Sequence, residues 1–197
     1  DLIAISPNGD GTNDSATYLL SLIRNAKDLK LSVVNEAGQV VKEIITEEFV
    51  RKNYYDGGRG AMYYLIPEWT WDGTMTNGNK APEGQYYLKA EATLDYEGAE
   101  SQSMTLPIKL DLTGPELETT LEDDSKTITV DVDDSNSGVA YWYVTVDGKV
   151  AGEFENGETS FELTKWLRGK NQKVSVVAVD YAGNKTTSNV QAHNKPP

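Results

Sequence analysis

Apolar and polar residues alternate with a period of two along most of this 197-residue chain. In the segment 29–34, Leu29, Leu31 and Val33 fall on one side and the residues between them on the other. A period of two puts alternate side chains on opposite faces of a β-strand, and it is typical of strands that bury one face. Long segments with a helical period are missing. The chain is therefore predicted to be all-β.

The alternation predicts where individual strands lie. Segments 29–34 and 40–45 flank a turn at Asn35–Gly38 and are predicted to form a hairpin. Segment 174–179 is apolar at both alternating sets of positions, which predicts a central strand. Segment 47–62 is polar and bears glycines, and it is predicted to be a long loop. The other predicted strands are 16–23, 63–71, 85–94, 103–110, 127–133, 139–146, 160–163 and 173–180.

The alternation stops at Asp111-Leu112-Thr113-Gly114-Pro115. Proline restricts the residue before it to extended conformations, so this segment is predicted to be a short linker. A chain of this length suits two domains of about 100 residues each. We predict two consecutive immunoglobulin- or fibronectin type III-like β-sandwiches, at residues 1–112 and 113–197.

Composition restricts the partners of the chain. Its formal net charge is -13, and so acidic a chain is repelled by phosphate backbones and anionic lipid. No apolar stretch approaches the roughly 20 residues that span a bilayer. The chain has no cysteine, which excludes disulfides and cysteine–zinc sites. We expect no binding to nucleic acid, no membrane insertion and a monomer.

The segment Ser6-Pro7-Asn8-Gly9-Asp10-Gly11-Thr12-Asn13-Asp14 carries the clearest chemical signal. It sets oxygen ligands at alternating positions around a glycine, as a loop that wraps a calcium ion requires. Asn8, Asp10, Thr12 and Asp14 are the predicted Ca²⁺ ligands. The alternative is that Asn-Gly and Asp-Gly simply form tight turns without a metal.

Other carboxylates and hydroxyls are weaker candidates for metal ligands. Ser6 stands where a calcium loop usually has Asp, and Asp72 either completes the ligand shell or caps a turn. Asp111 in the linker is a further candidate. A last group consists of Asp131, Asp133, Asp134, Asn136 and Gly138, and solvated loop carboxylates are the commoner interpretation of that group.

Catalytic residues are not predicted in this chain. The one histidine, His193, lies outside any strand or nucleophile-bearing motif, which argues against a Ser-His-Asp triad. Aromatic residues give a minor alternative, a carbohydrate-binding face, although core packing is their commoner role. They are Trp69, Trp71, Trp142, Trp166, Tyr54, Tyr55, Tyr63 and Tyr64.

Several motifs occur in an order that resembles known secreted bacterial sandwiches. Ser6–Gly11, the segment around Glu36-Ala37-Gly38, Trp71-Asp72-Gly73 and Glu83–Tyr87 resemble flagellar hook-capping and gliding-associated C-terminal modules. Segments 22–29 and 50–54 are similar to the second fibronectin-type domain of the cell-envelope proteinases that include C5a peptidase and lactocepin. Segments 111–115 and 179–184 resemble the third such domain.

The resemblance implies a larger protein in which a subtilisin-like serine protease domain lies upstream of these domains. It also implies secretion, attachment to the cell wall and a Gram-positive origin. We expect this chain to support and space the protease, to contact protein substrate or a host protein, and to gain stability from Ca²⁺. The alternative is a free-standing surface adhesion or structural module with no protease attached.

Overall fold

The computed structural model of the chain describes residues 3–22, 26–50, 64–65, 69–168 and 172–190. These residues form fourteen strands and no helix, which confirms the all-β prediction. It follows that no helix in the described ranges has the length and hydropathy to cross a membrane. The chain divides into two compact units, Asp1–Leu110 and Asp111–Pro197. That each unit folds as an independent domain stays a prediction.

The first unit contains a five-stranded sheet in the order β1-β7-β6-β3-β4. It also contains a separate two-stranded sheet formed by β2 and β5. β1 runs parallel to β7, with Ile5 paired to Leu110, and the other neighbours are antiparallel. The strands are β1 (Ile3–Ile5), β2 (Ser21–Leu22), β3 (Ala26–Asn35), β4 (Val40–Val50), β5 (Tyr64–Leu65), β6 (Gly84–Leu94) and β7 (Ser101–Leu110).

The predicted hairpin is confirmed as β3 and β4, but the prediction of a strand over 16–23 is wrong. Of the described residues 16–22, only Ser21–Leu22 form a strand, and Ala16 makes a single bridge to Trp71. The apolar residues of this segment alternate because Tyr18 and Leu20 pack against the core while Leu19 is 90% exposed. The alternation does not come from hydrogen-bonded pairing with a neighbouring strand. Of the predicted strand 63–71, Tyr64–Leu65 is a strand, and residues 63 and 66–68 lie outside the described residues. The predicted loop 47–62 is wrong at residues 47–50, which belong to β4, and residues 51–62 lie outside the described residues.

One face of the five-stranded sheet forms the core of the first unit. Two tryptophans outside the sheet cover this face: Trp71 is 1% exposed and Trp69 is 4% exposed. The Trp71 indole packs against the Tyr86 ring at 5.0 Å between centroids. The sheet contributes buried residues at alternate positions, namely Leu29, Leu31, Val33, Tyr86, Leu88, Ile108, Leu110 and Ile5.

The second unit is a sandwich of a four-stranded sheet, β11-β10-β13-β14, and a three-stranded sheet, β12-β9-β8. β13 lies between β10 and β14, and all but one of its residues are buried, so the predicted central strand is confirmed. β8, β11 and β14 were not predicted, because their sequences are largely polar. The strands are β8 (Glu116–Leu121), β9 (Thr127–Asp133), β10 (Val139–Val146), β11 (Lys149–Glu155), β12 (Ser160–Glu162), β13 (Val174–Asp180) and β14 (Lys185–Val190).

Trp142 on β10 is the largest side chain between the two sheets and is completely buried. Its ring stacks on Phe154 at 4.3 Å between centroids. Its Nε1–H donates to the carbonyl of Glu158 at 2.9 Å, so the polar atom of the indole keeps a partner in the core. Around it lie Ile128 and Val130 of one sheet and Val144 of the other.

We expect Trp142→Ala to destabilise the protein by about 3–5 kcal/mol, because it removes the buried indole and leaves a cavity. Urea unfolding followed by tyrosine fluorescence and circular dichroism measures the loss. Val150→Ala is the control, since Val150 is 54% exposed and surface truncations change stability by only about 0.5 kcal/mol. Equal effects of the two substitutions would contradict the assignment of Trp142 to the core.

Candidate metal sites

The predicted calcium loop, residues 6–14, follows β1 directly and folds back on itself. Gly9, Gly11 and Asn13 have φ values of 81°, 85° and 52°, which the two glycines adopt without steric cost and asparagine tolerates. The backbone N–H of Ser6 donates to the carbonyl of Asn13 at 2.8 Å and closes the loop. We call residues 6–14 the 6–14 loop.

Side-chain oxygens inside the 6–14 loop accept its backbone N–H groups. Both oxygens of Asp14 do so, Oδ1 from Gly9 at 3.0 Å and Oδ2 from Gly11 at 2.8 Å. Asn8 Oδ1 accepts from the Asp10 N–H at 3.0 Å. These are the bonds by which Asx residues form turns without a metal.

The structure therefore brings Asn8, Asp10, Thr12 and Asp14 together in one exposed or half-exposed loop. Asp10 Oδ1 accepts from the Thr12 N–H at 2.8 Å, and in the described part of the chain Asp10 Oδ2 has no hydrogen-bond donor. Ser6 differs from them because it is only 2% exposed. The turn alternative accounts for the shape of the loop, and the identity of any bound ion stays a prediction.

Asp72, a weaker candidate, caps a turn. Its Oδ1 accepts from the hydroxyl of Thr74 at 2.6 Å and from the Thr74 N–H at 3.0 Å. The Thr74 hydroxyl is the main reason why the pKa of Asp72 lies below its usual range. Gly73 follows with a φ of 81°, and a Cβ there would meet Pro7 Cγ at 2.8 Å. The turn at Asp72 thus packs against the start of the 6–14 loop.

Asp111 belongs to a second group of carboxylates, in the second unit. One carboxylate oxygen each of Asp111, Asp134 and Asp180 lies within 4.8 Å of the others. Two ligands on opposite sides of a divalent cation are separated by about twice a metal–oxygen distance of 2.3–2.6 Å. These three residues, which we call the carboxylate cluster, could therefore hold a metal ion.

Hydrogen bonds fix the orientation of Asp111 in the carboxylate cluster. Asp111 Oδ2 accepts from the Ser137 hydroxyl at 2.6 Å and from the Ser137 N–H at 3.0 Å. Its Oδ1 accepts from the Thr113 N–H at 3.1 Å. Each carboxylate oxygen has two lone pairs. Oδ2 uses both of them in these bonds, and Oδ1 keeps one for a metal.

The other two carboxylates are held by residues close to them in the chain. Asp134 Oδ1 accepts from the backbone N–H groups of Asn136 and Gly138. Asp180 Oδ1 accepts from the backbone N–H of Asn184 at 2.8 Å, and its Oδ2 accepts from the Asn184 side-chain amide at 2.9 Å.

The carboxylate cluster gathers negative charge away from water. Asp111 is 1% exposed and Asp180 is 2% exposed. Burial raises the pKa of Asp180 to about 6, the Asn184 hydrogen bonds oppose this rise, and the charges of Asp111 and Asp134 add to it. In the described part of the chain no Lys or Arg forms a salt bridge with these carboxylates.

Sequence reasoning proposed Asp111 and Asp134 as cation ligands but missed Asp180. The signal was present, since Asp180 is a charged residue at the end of β13, a strand whose other residues are apolar apart from Ser175. Asp131 and Asp133 are exposed positions of β9 and do not join the carboxylate cluster.

The aromatic residues predicted for a carbohydrate face do not form one among the described residues. Trp69, Trp71 and Trp142 are core residues, and Trp166 is 36% exposed. Tyr54, Tyr55 and Tyr63 lie outside the described residues, as does His193, and Tyr64 lies in β5.

Comparison with known proteins gives a curated relative of this chain. The chain is 34% identical over 117 residues to C5a peptidase of Streptococcus pyogenes, a match that covers 59% of this chain and 10% of that protein. This chain thus spans about a tenth of the length of its curated relative. The likeness supports the resemblance to C5a-peptidase-like proteins that the motifs indicated.

Two solved structures are similar in fold at low sequence identity. The fibronectin(III)-like modules of Clostridium thermocellum CbhA have a TM-score of 0.43 and 14% identity, over 96% of this chain and 86% of that one. FlgD of Pseudomonas aeruginosa has a TM-score of 0.34 and 18% identity, over 66% of this chain and 78% of that one. Similarity at this level carries no functional argument.

One family matches most of the first unit. The match runs from residue 3 to residue 106, just over half of the chain. It includes the 6–14 loop, the Asp72 turn, four strands of the larger sheet and the first part of β7. This chain therefore belongs to the family described as the CHU_C Type IX secretion signal domain.

Proposed function

We propose that this chain is a non-catalytic accessory region of a secreted, cell-envelope serine endopeptidase of the subtilisin type. The observation that carries the proposal is the 34% identity to C5a peptidase over 117 residues. Because the matched segment is a tenth of that protein, the catalytic machinery belongs to domains outside this chain, upstream in the sequence of the parent.

The residues of the chain support a non-catalytic role. It has no cysteine and so offers no thiol nucleophile, and its one histidine, His193, lies outside any predicted strand or nucleophile-bearing motif. Its buried carboxylates accept hydrogen bonds from backbone N–H groups, from the Ser137 hydroxyl and from the Asn184 side-chain amide, and no histidine lies beside Ser137 among the described residues. We propose that the two units act as a spacer and as a scaffold that contacts protein substrate or a host protein.

The family match favours a second candidate function. A member of a family described as a secretion signal domain could serve export of any attached protein. In this second candidate function, the chain is a surface adhesion or structural module, and no protease is attached to it. Both candidates place the chain outside the cytoplasm, in a secreted or wall-attached protein, and the streptococcal relative supports a Gram-positive parent.

We propose Ca²⁺ as the ion of the 6–14 loop, with Asn8, Asp10, Thr12 and Asp14 as ligands. The loop holds four oxygen-bearing side chains at alternating positions, and Ca²⁺ takes oxygen ligands from such loops. Asp10 Oδ2 is available, and the remaining ligands are backbone carbonyls and water. Because the turn geometry exists without an ion, calcium would tighten a preformed loop.

We also propose Ca²⁺ for the carboxylate cluster, where the electrostatic argument is stronger. Asp111 and Asp180 are almost fully buried next to Asp134, and buried like charges without a counter-charge destabilise the folded state. A divalent cation would neutralise them. The all-oxygen set suits Ca²⁺ better than the softer transition metals.

Calcium is expected to raise the melting temperature relative to protein in EDTA. An ion at a hundred times its Kd stabilises the native state by about 2.7 kcal/mol, and each kcal/mol corresponds to about 4–8 °C for a domain of this size. Asp10→Asn should abolish uptake at the 6–14 loop, and Asp134→Asn at the carboxylate cluster, as measured by calorimetric titration with Ca²⁺.

Asp10→Asn keeps an Oδ1 acceptor for the Thr12 N–H, so it removes charge without removing the turn. Asp95→Asn is the matched control, because Asp95 is exposed and belongs to neither site. If neither calcium nor EDTA changes the melting temperature of the wild type, the calcium proposal is wrong at both sites, and the accessory role is unaffected.

The metal-free protein should gain stability from Asp180 as the pH falls from 7 to 5. The folded-state pKa is about 6 and that of an unfolded Asp is about 3.9, so the folded state binds the proton more tightly in this window. The contribution is complete below about pH 4 and is lost as the pH rises through 6.

The measurement is urea unfolding in EDTA at several pH values, for wild type and Asp180→Asn. The unfolding free energy of the wild type relative to that of the variant should fall as the pH rises through 6, since the variant has no carboxyl group at position 180 to titrate. With saturating Ca²⁺ the wild-type slope should reverse, because protons then compete with the ion. Parallel pH profiles of the two proteins would contradict the raised pKa.

The accessory role is tested on the natural protein. Antibodies raised against this chain should capture, from culture medium or cell envelope, a polypeptide several times longer than 197 residues that a fluorophosphonate probe labels at a nucleophilic serine. The isolated chain should not react with the probe. Capture of a long polypeptide that the probe leaves unlabelled would favour the module without a protease.

A further inference from the structure

An aromatic groove lies on the second unit where β10 pairs with β11, an edge strand of its sheet. Tyr141, Glu153, Phe154, Glu155 and Glu158 line an open space of about 560 Å³. Tyr141 is 38% exposed, and the three glutamates are exposed. We call these five residues the Tyr141 groove.

The pairing of β10 with β11 determines which side chains line one side of the groove. Tyr141 pairs with Glu155, and Tyr143 pairs with Glu153, so both tyrosines and both glutamates lie on the same face of the sheet. The two tyrosine rings stack at 6.2 Å between centroids with an interplanar angle of 25°. An aromatic surface thus stands directly beside a pair of carboxylates.

The core fixes the other side of the groove. Phe154 is held by its stacking on Trp142, and the Trp142 Nε1–H fixes the backbone of Glu158. The Glu155 N–H donates to Glu158 Oε2 at 2.7 Å. These contacts hold the backbone at Glu155 and Glu158 in place before a ligand binds, so the ordering cost of binding is confined to the exposed side chains.

The charges in the groove are not neutralised within the described part of the chain. The carboxylates of Glu153 and Glu155 have neither a hydrogen-bond donor nor a salt-bridge partner there. The net charge of -13 adds a long-range attraction for cations. A ligand complementary to this surface carries positive charge and an apolar stem.

We propose that the Tyr141 groove binds a Lys or Arg side chain of a basic peptide segment. The ring face of Tyr141 attracts a cation and packs against its methylene stem, while Glu153 and Glu155, which lie on the same face of the sheet, accept hydrogen bonds from its head group. A neutral sugar would stack on the rings but would gain nothing from the uncompensated carboxylates. The observations therefore favour the cationic peptide.

The test titrates the 197-residue chain with a fluorescein-labelled peptide of alternating Lys and Ala, followed by fluorescence anisotropy at low ionic strength. The same peptide with Glu in place of Lys should not bind. Glu153→Gln with Glu155→Gln should weaken binding about three- to tenfold, the range for two exposed charge pairs. Tyr141→Ala should weaken it by a similar factor of about three to ten, because it removes the cation–π contact.

Matched controls lie on the turn between β6 and β7 of the first unit. Glu97→Gln with Glu100→Gln removes the same charge, and Tyr96→Ala removes a ring that is 45% exposed. Both should change affinity less than twofold. Circular dichroism of each variant verifies its fold.

Several results would overturn the proposal. Equal weakening by the two double Gln variants would mean that the peptide responds only to the overall acidity of the chain. Failure of the Lys peptide to bind would exclude the cationic ligand directly. Perturbation of the Tyr141 and Tyr143 NMR signals by a neutral oligosaccharide but not by the Lys peptide would assign the groove to carbohydrate instead.

Discussion

Burial of one face of each sheet is the constraint on which the other features of this protein depend. Strand positions that point into the core, such as Leu31, Leu88 and Trp142, are apolar and almost fully buried. Charged metal-binding groups cannot occupy those positions without a large desolvation cost. They are consequently found where strands begin or end. The 6–14 loop follows the last residue of β1, Asp134 follows β9, and Asp180 is the last residue of β13.

The two candidate metal sites differ in what an ion would contribute. In the 6–14 loop, backbone N–H groups already satisfy both Asp14 oxygens, and water reaches the remaining ligands. In the carboxylate cluster, Asp111 and Asp180 are buried beside each other, so protonation or a cation must relieve their repulsion. Metal binding at the cluster is therefore linked more closely to folding stability and to pH than metal binding at the loop.

The family match and the Tyr141 groove concern different parts of the chain. Residues 3–106 carry the family relationship, and the groove lies on β10 and β11 of the second unit. A scaffold that contacts protein substrate needs a surface with chemical selectivity, and three exposed glutamates beside a stacked tyrosine pair supply one. The groove exists because Tyr141 and Glu155 are directly paired across two strands, although they lie fourteen positions apart in the chain.

The sequence by itself determined features that depend on short-range geometry. Period-two alternation gave the hairpin of β3 and β4 and the central position of β13. The turn chemistry of Asn8, Asp10 and Asp14 placed those residues in one loop, because Asx side chains bond backbone groups two to five positions away. The same alternation gave a wrong prediction of a strand over 16–23. There Tyr18 and Leu20 pack against the core, but no partner strand runs along the whole segment.

Only the tertiary structure decided which distant carboxylates meet. Ser137, close to Asp134 in the chain, donates to the Asp111 carboxylate, and the Asn184 amide donates to both the Asp111 carbonyl and the Asp180 carboxylate. These contacts join segments that are remote in the chain, and no local pattern encodes them. The same holds for the tyrosine–glutamate face of β10 and β11. Pairing between remote strands is set by the fit of whole sheet faces in the core, so the positions of these groups follow from packing of the folded chain rather than from any single segment.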